Sequence, residues 1–310
     1  MRTTIARVRA VTRPMVSHPG CCAASPHTRI YAARLMSQVL SLATAALYGV
    51  ADFAGGLASR RVAVWGVVAW SALIGAALLA ITVLFIDAPD VRAGDIALGA
   101  VAGIVGLLGI AALYAALARG SMSIVSPVTG ALAAIIPVLA GLALGEVLSG
   151  RQWAGVVCAI AAVILVAWDR SASHAPASVI GLSVMAAVWF GAFFILLDQT
   201  SSDSGIWPLV AARSMSVPLA FAIAFVRGES SRPDRSVMPI VAFAGIADMA
   251  ANITILLALQ AGPLGVSAVT ASLYPAFTVL AAIVFLREHP NRLQWLGISL
   301  ALVAVGLLAV

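Results

Sequence analysis

Runs of about 20 apolar residues, the length a helix needs to cross a hydrocarbon core of about 30 Å, follow one another along nearly the whole chain. They fall at about 38–58, 64–86, 95–118, 121–144, 152–168, 177–198, 206–226, 237–260, 263–286 and 292–310. The connections are short, and none is long enough to hold a soluble domain. The runs do not alternate apolar with polar residues, as the strands of a membrane barrel would. The chain is 62% hydrophobic and only 10% charged, against roughly 25% charged in a soluble domain. No fold hides that much apolar surface from water. The expectation is an all-α membrane protein with ten transmembrane helices, multi-pass in the cell (plasma or inner) membrane.

The formal charge of +6 does not mark a nucleic-acid surface. Six of the 18 basic residues are Arg2, Arg7, Arg9, Arg13, Arg29 and Arg34, and the other twelve balance the 12 acids that begin at Asp52. The basicity belongs to the first 35 residues. That stretch is broken by Pro14, Pro19 and Pro26 and lacks the apolar core of a secretory signal. It reads as a disordered Arg-rich tail, or as residues ahead of a true start at Met36, in preference to a transit peptide. Cys21, Cys22 and Cys158 make neither a metal spacing nor a disulfide framework. His18, His27, His174 and His289 fall in the tail or in loops, so no metal site or cofactor is expected. A chain without lysine has no GxxxxGK[ST] phosphate loop, which leaves a gradient, or a separate subunit, as the energy source.

Shifting the chain by 142 residues brings its halves into register. Glu146, Gln152, Trp153 and Gly155 land on Glu288, Gln294, Trp295 and Gly297. Gly49, Trp65, Gly103 and Gly120 land on Gly191, Trp207, Gly245 and Gly262. Shared composition does not produce one offset over so many helices. Each half holds five spans. Five is odd, so the second half enters the membrane inverted, the architecture of secondary transporters that rock around a central site. The expected repeats are residues 36–170 and 177–310.

The segments "LGEVLSGRQWAG" (144–155), "LREHPNRLQWLG" (286–297) and "ARGSMSIVSPV" (118–128) resemble the EamA family of the drug/metabolite transporter superfamily. The likeness covers about residues 38–310, with Arg287 standing where the first copy has Gly145. It implies ten helices in a 5+5 arrangement and transport of small metabolites or drugs, driven by a proton gradient or by exchange. It does not imply which solute.

The scaffold residues are shared between the halves, but the intramembrane polar residues are not. Under the shift Asp52 falls on Phe194, Ser71 on Arg213, Gly106 on Asp248 and Ile110 on Asn252. A residue needed only for the fold would recur in both copies. A cavity shaped for an asymmetric solute would show this difference, and so would drift after duplication. Asp52 shares a helix face with Tyr48, Gly49, Gly55 and Gly56, a stripe that admits a close neighbour and keeps the carboxylate off lipid. A charge in mid-bilayer costs a few kcal/mol or more, so such groups face cavities, pair with one another and mark pathways. No cation in the apolar spans suggests itself as a partner for Asp52. A carboxylate there can take a proton on one side and release it on the other, coupling transport to protons; the alternative is a neutral, hydrogen-bonded Asp52. For Arg213 and Asp248 the alternative to a solute site is an ion pair that locks spans seven and eight.

Weaker candidates follow. Tyr274, with Pro275, and the prolines Pro127 and Pro137 of span four mark places where backbone carbonyls are freed to line a site, or simple packing kinks. Trp189 and Phe190 wall a cavity or belong to the core. Glu146 and Glu288 read as interfacial scaffold capping the following helix. Loops after odd spans hold nine arginines and loops after even spans two, which places the odd loops in the cytoplasm. The family resemblance and the Arg-rich tail argue instead for both termini inside.

The leading expectation is thus an exporter of a small organic solute working by alternating access, as a monomer or homodimer, with the lipid bilayer as its other partner. The rivals are a magnesium-type cation transporter or channel on the same scaffold, against which Arg213 argues, and an intramembrane lipid-modifying enzyme. The enzyme would need clustered carboxylates or histidines at the surface, and the sequence has none.

Overall fold

In a lipid environment every backbone N–H and C=O must find its partner within the protein, and the helix does this locally. The computed structural model describes residues 26–120, 122–167, 176–229, 233–286 and 292–308. Among these residues the regular structure is helical throughout: α1 (Pro26–Ser59), α2 (Val64–Thr82), α3 (Ala93–Arg119), α4 (Met122–Ala143), α5 (Gly150–Ala167), α6 (Ala177–Asp198), α7 (Trp207–Val226), α8 (Met238–Ala261), α9 (Leu264–Ala271), α10 (Tyr274–Leu286) and α11 (Arg292–Leu308), with one 3-10 turn at Ser202–Ser204. Six of the helices, α1, α2, α3, α6, α7 and α8, are long and apolar enough to cross a membrane. Residues 1–25 of the expected tail lie outside the described residues, and α1 starts at Pro26, ahead of the expected start of the first span.

The expected ninth span is two helices, α9 and α10, separated at Ser272–Leu273. Pro275 has no N–H to offer the carbonyl of Ala271, so the α-helical ladder stops there. The chain tightens instead: the Leu273 amide bonds the Thr270 carbonyl at 3.2 Å, and the Ala276 amide bonds Leu273 at 3.0 Å.

The helices of the two halves pair reciprocally. α1 packs on α8 and α10, while α6, its equivalent one repeat later, packs on α3 and α4. α3 packs on α7, and its equivalent α8 packs on α2; α5 packs on its own equivalent, α11. The exchange holds to the residue. Gly49 admits the backbone of α10 so closely that an added Cβ would stand 3.0 Å from the Thr278 nitrogen, and Gly191 meets Ile136 at 2.6 Å in the same way. Thr278 minus 142 is 136. Likewise Gly262 lies against Ser37 and Gly120 against Val179, again 142 apart. Trading i for i+142 and j for j−142 is what a two-fold relation between the repeats produces. At two further crossings backbone meets backbone and glycine is required: a Cβ on Gly103 would run into the Ala212 backbone, and one on Gly245 into the Ser71 carbonyl.

One end of the bundle is tied by polar contacts between the α2–α3 and α6–α7 connections. Ser204 donates to Asp95 at 2.6 Å, and Arg92 bridges Asp90 and Asp203 at 3.1 and 3.3 Å.

Candidate functional site

The reciprocal packing leaves a cavity between the halves, with about 940 Å³ of atom-free space, its mouth included. Asp52 and Tyr48 reach it from α1, Arg213 from α7, Asp248 and Asn252 from α8, and Tyr274 from the start of α10. Trp189 is not part of the lining. Its neighbour Phe190, whose ring lies over Gly109 of α3, takes the place at the wall. Adjacent residues on a helix point about 100° apart, so only one of the two shares the face of Phe193 and Phe194.

The lining follows the repeat. Five equivalent pairs both reach the cavity: Tyr48 with Phe190, Asp52 with Phe194, Ser71 with Arg213, Gly106 with Asp248, and Ile110 with Asn252. The cavity therefore sits where the two halves exchange, and at four of these positions only one copy is polar. At the fifth a serine faces an arginine. The symmetric scaffold holds an asymmetric set of side chains.

Most of these polar groups are engaged with one another. Arg213 pairs with Asp248 at 2.5 Å, with the two side chains 17% and 19% exposed. Asn252 donates to the Asp248 carbonyl at 2.7 Å and accepts from the Tyr48 hydroxyl at 3.3 Å. Tyr274 donates to the Ser126 carbonyl at 3.2 Å. Asp52 differs. It is 5% exposed, and among the described residues no side chain pairs with it or hydrogen-bonds to it. Its helix is held on both sides by the glycine stripe. Thr278 donates to the Gly49 carbonyl at 3.1 Å, and the Tyr114 ring lies over Gly55. The carboxylate is fixed in position by its backbone and not by partners of its own.

Two features of the wall, Tyr114 and the Ala271–Ser272 break, lie beyond the residues singled out from the sequence. Tyr114 follows Ile110 by four residues on α3 and lies on the same face, a spacing that marks it once Ile110 is placed. Ser216, three residues after Arg213, lines the cavity as well. Ser272 and Ala271 line it at the break between α9 and α10, the place where Pro275 frees a backbone carbonyl.

The Glu/Gln motif of the repeat is structural, but it does not cap in the expected way. α4 ends in a Schellman turn with Gly145 at φ 90°, in which the Gly145 amide bonds Leu142 and the Glu146 amide bonds Gly141. This turn aims Glu146 across to the other repeat. Its carboxylate accepts from the Leu264 and Gly265 amides at 2.6 and 3.0 Å, capping α9 and not the helix that follows it. The following helix, α5, has its own capping box: the Ser149 amide donates to Gln152 at 2.9 Å, and the Gln152 amide to Ser149 at 3.3 Å. Glu288 lies outside the described residues.

The EamA-like transporter family model matches the chain twice, over residues 35–168 and 177–310. A solved crystal structure shares the fold at a TM-score of 0.71 and 17% identity, covering 87% of this chain and 95% of that one. No protein in the search of curated sequences matches it.

Proposed function

This chain belongs to the EamA-like transporter family, and from that premise we propose a secondary active exporter that moves a small organic metabolite or drug by alternating access, with Asp52 as the proton-coupling group. The two repeats, 36–170 and 177–310, supply ten spans in inverted 5+5 order, α9 and α10 together making the ninth. The protein sits in the cell membrane with both termini inside. The cavity between the repeats is the transport site, and rocking of one repeat against the other exposes it to each side in turn.

One observation carries this reading: a single unpaired carboxylate, Asp52, in a cavity whose other charges are already paired. A group with no fixed partner is free to exchange a proton or a solute as the cavity changes sides. A paired one must first give up its bond. The same observation weakens the cation-channel reading, because Arg213 holds the second carboxylate.

The test is proton movement. The protein is reconstituted in liposomes with a trapped pH dye and offered amino acids, nucleosides and cationic drugs. The expected result is a solute-triggered pH change in wild type that is lost in Asp52→Asn. Labelled solute moving without a pH change, equally well in both proteins, would overturn the coupling role.

A further inference from the structure

The cavity is uneven in what it leaves unsatisfied. Its charged wall groups are Asp52, Arg213 and Asp248. Arg213 and Asp248 neutralise each other, so the free charge is the carboxylate of Asp52. Two buried hydroxyls that line the same cavity, Ser216 at 3% exposure and Ser272 at 2%, have no hydrogen-bond partner among the described residues. Buried polar groups are nearly always satisfied, and an unpartnered hydroxyl at a cavity wall is open to water or a solute. These three groups are all able to accept an N–H. Six rings, three phenylalanines on α6 with Tyr48, Tyr114 and Tyr274, share the remaining wall with aliphatic residues such as Leu107, Ile110 and Leu209 and with the polar Ser71 and Asn252. Ring faces attract cations, most strongly where water is excluded.

We propose that the solute of this cavity is a protonated organic amine with an apolar or aromatic body. Its ammonium sits on Asp52, its remaining N–H groups reach Ser216 or Ser272, and its body lies among the rings. An organic anion is disfavoured, because it would have to displace Asp248 from Arg213 and would face the uncompensated charge of Asp52. A neutral solute of the same shape gains the rings but leaves Asp52 without its counter-charge. The proposal rests on the reading that this cavity is the transport site, and it adds the solute class to that reading.

The experiment is equilibrium binding to the full chain in lipid nanodiscs, without any gradient, using three probes of one shape: phenethylamine, 2-phenylethanol and 3-phenylpropionate. Wild type is expected to bind the amine at least tenfold more tightly than the alcohol or the acid. Asp52→Asn is expected to lose that preference, with Asp52→Glu recovering part of it. Ser216→Ala and Ser272→Ala together are expected to weaken the amine several-fold and the alcohol less. Thermal unfolding of each variant in the same nanodiscs identifies any that has lost its fold, and the conservative Asp52→Glu change keeps the question answerable if Asp52→Asn fails to fold. Tighter binding of the acid, equal binding of all three probes, binding of none of them, or an amine preference that survives Asp52→Asn would each overturn the proposal. Because no gradient is present, a failure here is distinct from a failure of proton coupling. Liposomes can show solute-driven pH changes with other solutes while the amine preference is absent, and the preference can hold where coupling fails.

Discussion

Breaking the Arg213–Asp248 pair tests how the charged part of the cavity is held together. The two groups meet at 2.5 Å with side chains 17% and 19% exposed. At an effective dielectric of about 20 their attraction is about 6–7 kcal/mol, and it is opposed by a desolvation cost of several kcal/mol for each ion. The pair itself therefore contributes little net stability, whereas removing one partner leaves the other charge buried and uncompensated. Asp248→Leu and Arg213→Met are each expected to lower the unfolding free energy by about 3 kcal/mol, the lower end of the range for buried pairs because both groups keep some contact with water. The double variant Arg213→Met/Asp248→Leu, which removes both charges and keeps apolar volume, is expected to lie within about 1 kcal/mol of wild type. The assay is reversible SDS unfolding in mixed micelles followed by tryptophan fluorescence, with all four proteins in one double-mutant cycle. Single variants that each lose less than about 1 kcal/mol would show that the isolated charge finds water or another partner. A double variant that loses the sum of the two singles would show that the side chains act through shape and not through their charge.

Two further outcomes follow from the packing. Gly245→Leu places a side chain against the Ser71 carbonyl where α2 and α8 cross, so a loss of about 3 kcal/mol or failure to fold is expected; near-wild-type thermal stability would mean that the two helices do not cross this closely. Glu146→Ala removes the acceptor of two α9 amides, with an expected loss of about 2 kcal/mol and faster hydrogen exchange at Leu264 and Gly265. Glu146→Gln is expected to recover part of both, and unchanged exchange in Glu146→Ala would refute the cap.

Much of this architecture is legible in the sequence because lipid leaves few choices. A run of 20 apolar residues must be helical, and a charge inside such a run must face protein. Those two constraints alone lead to Asp52, Arg213 and Asp248, and all three reach the cavity. The 142-residue offset goes further than composition does, since it anticipates which helices meet once a two-fold relation is assumed, and Gly49 with Thr278 against Gly191 with Ile136 is that relation in atoms. What stays hidden is set by finer geometry. Trp189 and Phe190 are equally apolar and adjacent, and helix rotation alone decides which one faces the cavity. The cap on α9 joins Glu146 to Leu264 and Gly265, 118 and 119 residues away, a partnership no local motif announces. The unpartnered state of Ser216 and Ser272 depends on what surrounds them and not on their spacing.

The division between what the repeat explains and what it does not has a physical cause. Positions shared by both copies carry the two-fold packing: the crossing glycines Gly49, Gly103 and Gly120 recur as Gly191, Gly245 and Gly262. Positions at the centre of the exchange line the cavity on one side, so packing constrains them less tightly. They are the places where one copy is Asp52 while the other is Phe194, and where Gly106, packed on the Phe193 ring of α6, is matched by Asp248. The solute preference of such a protein is therefore to be sought in the difference between its halves, and here that difference amounts to one free carboxylate, one ion pair and a ring-lined wall.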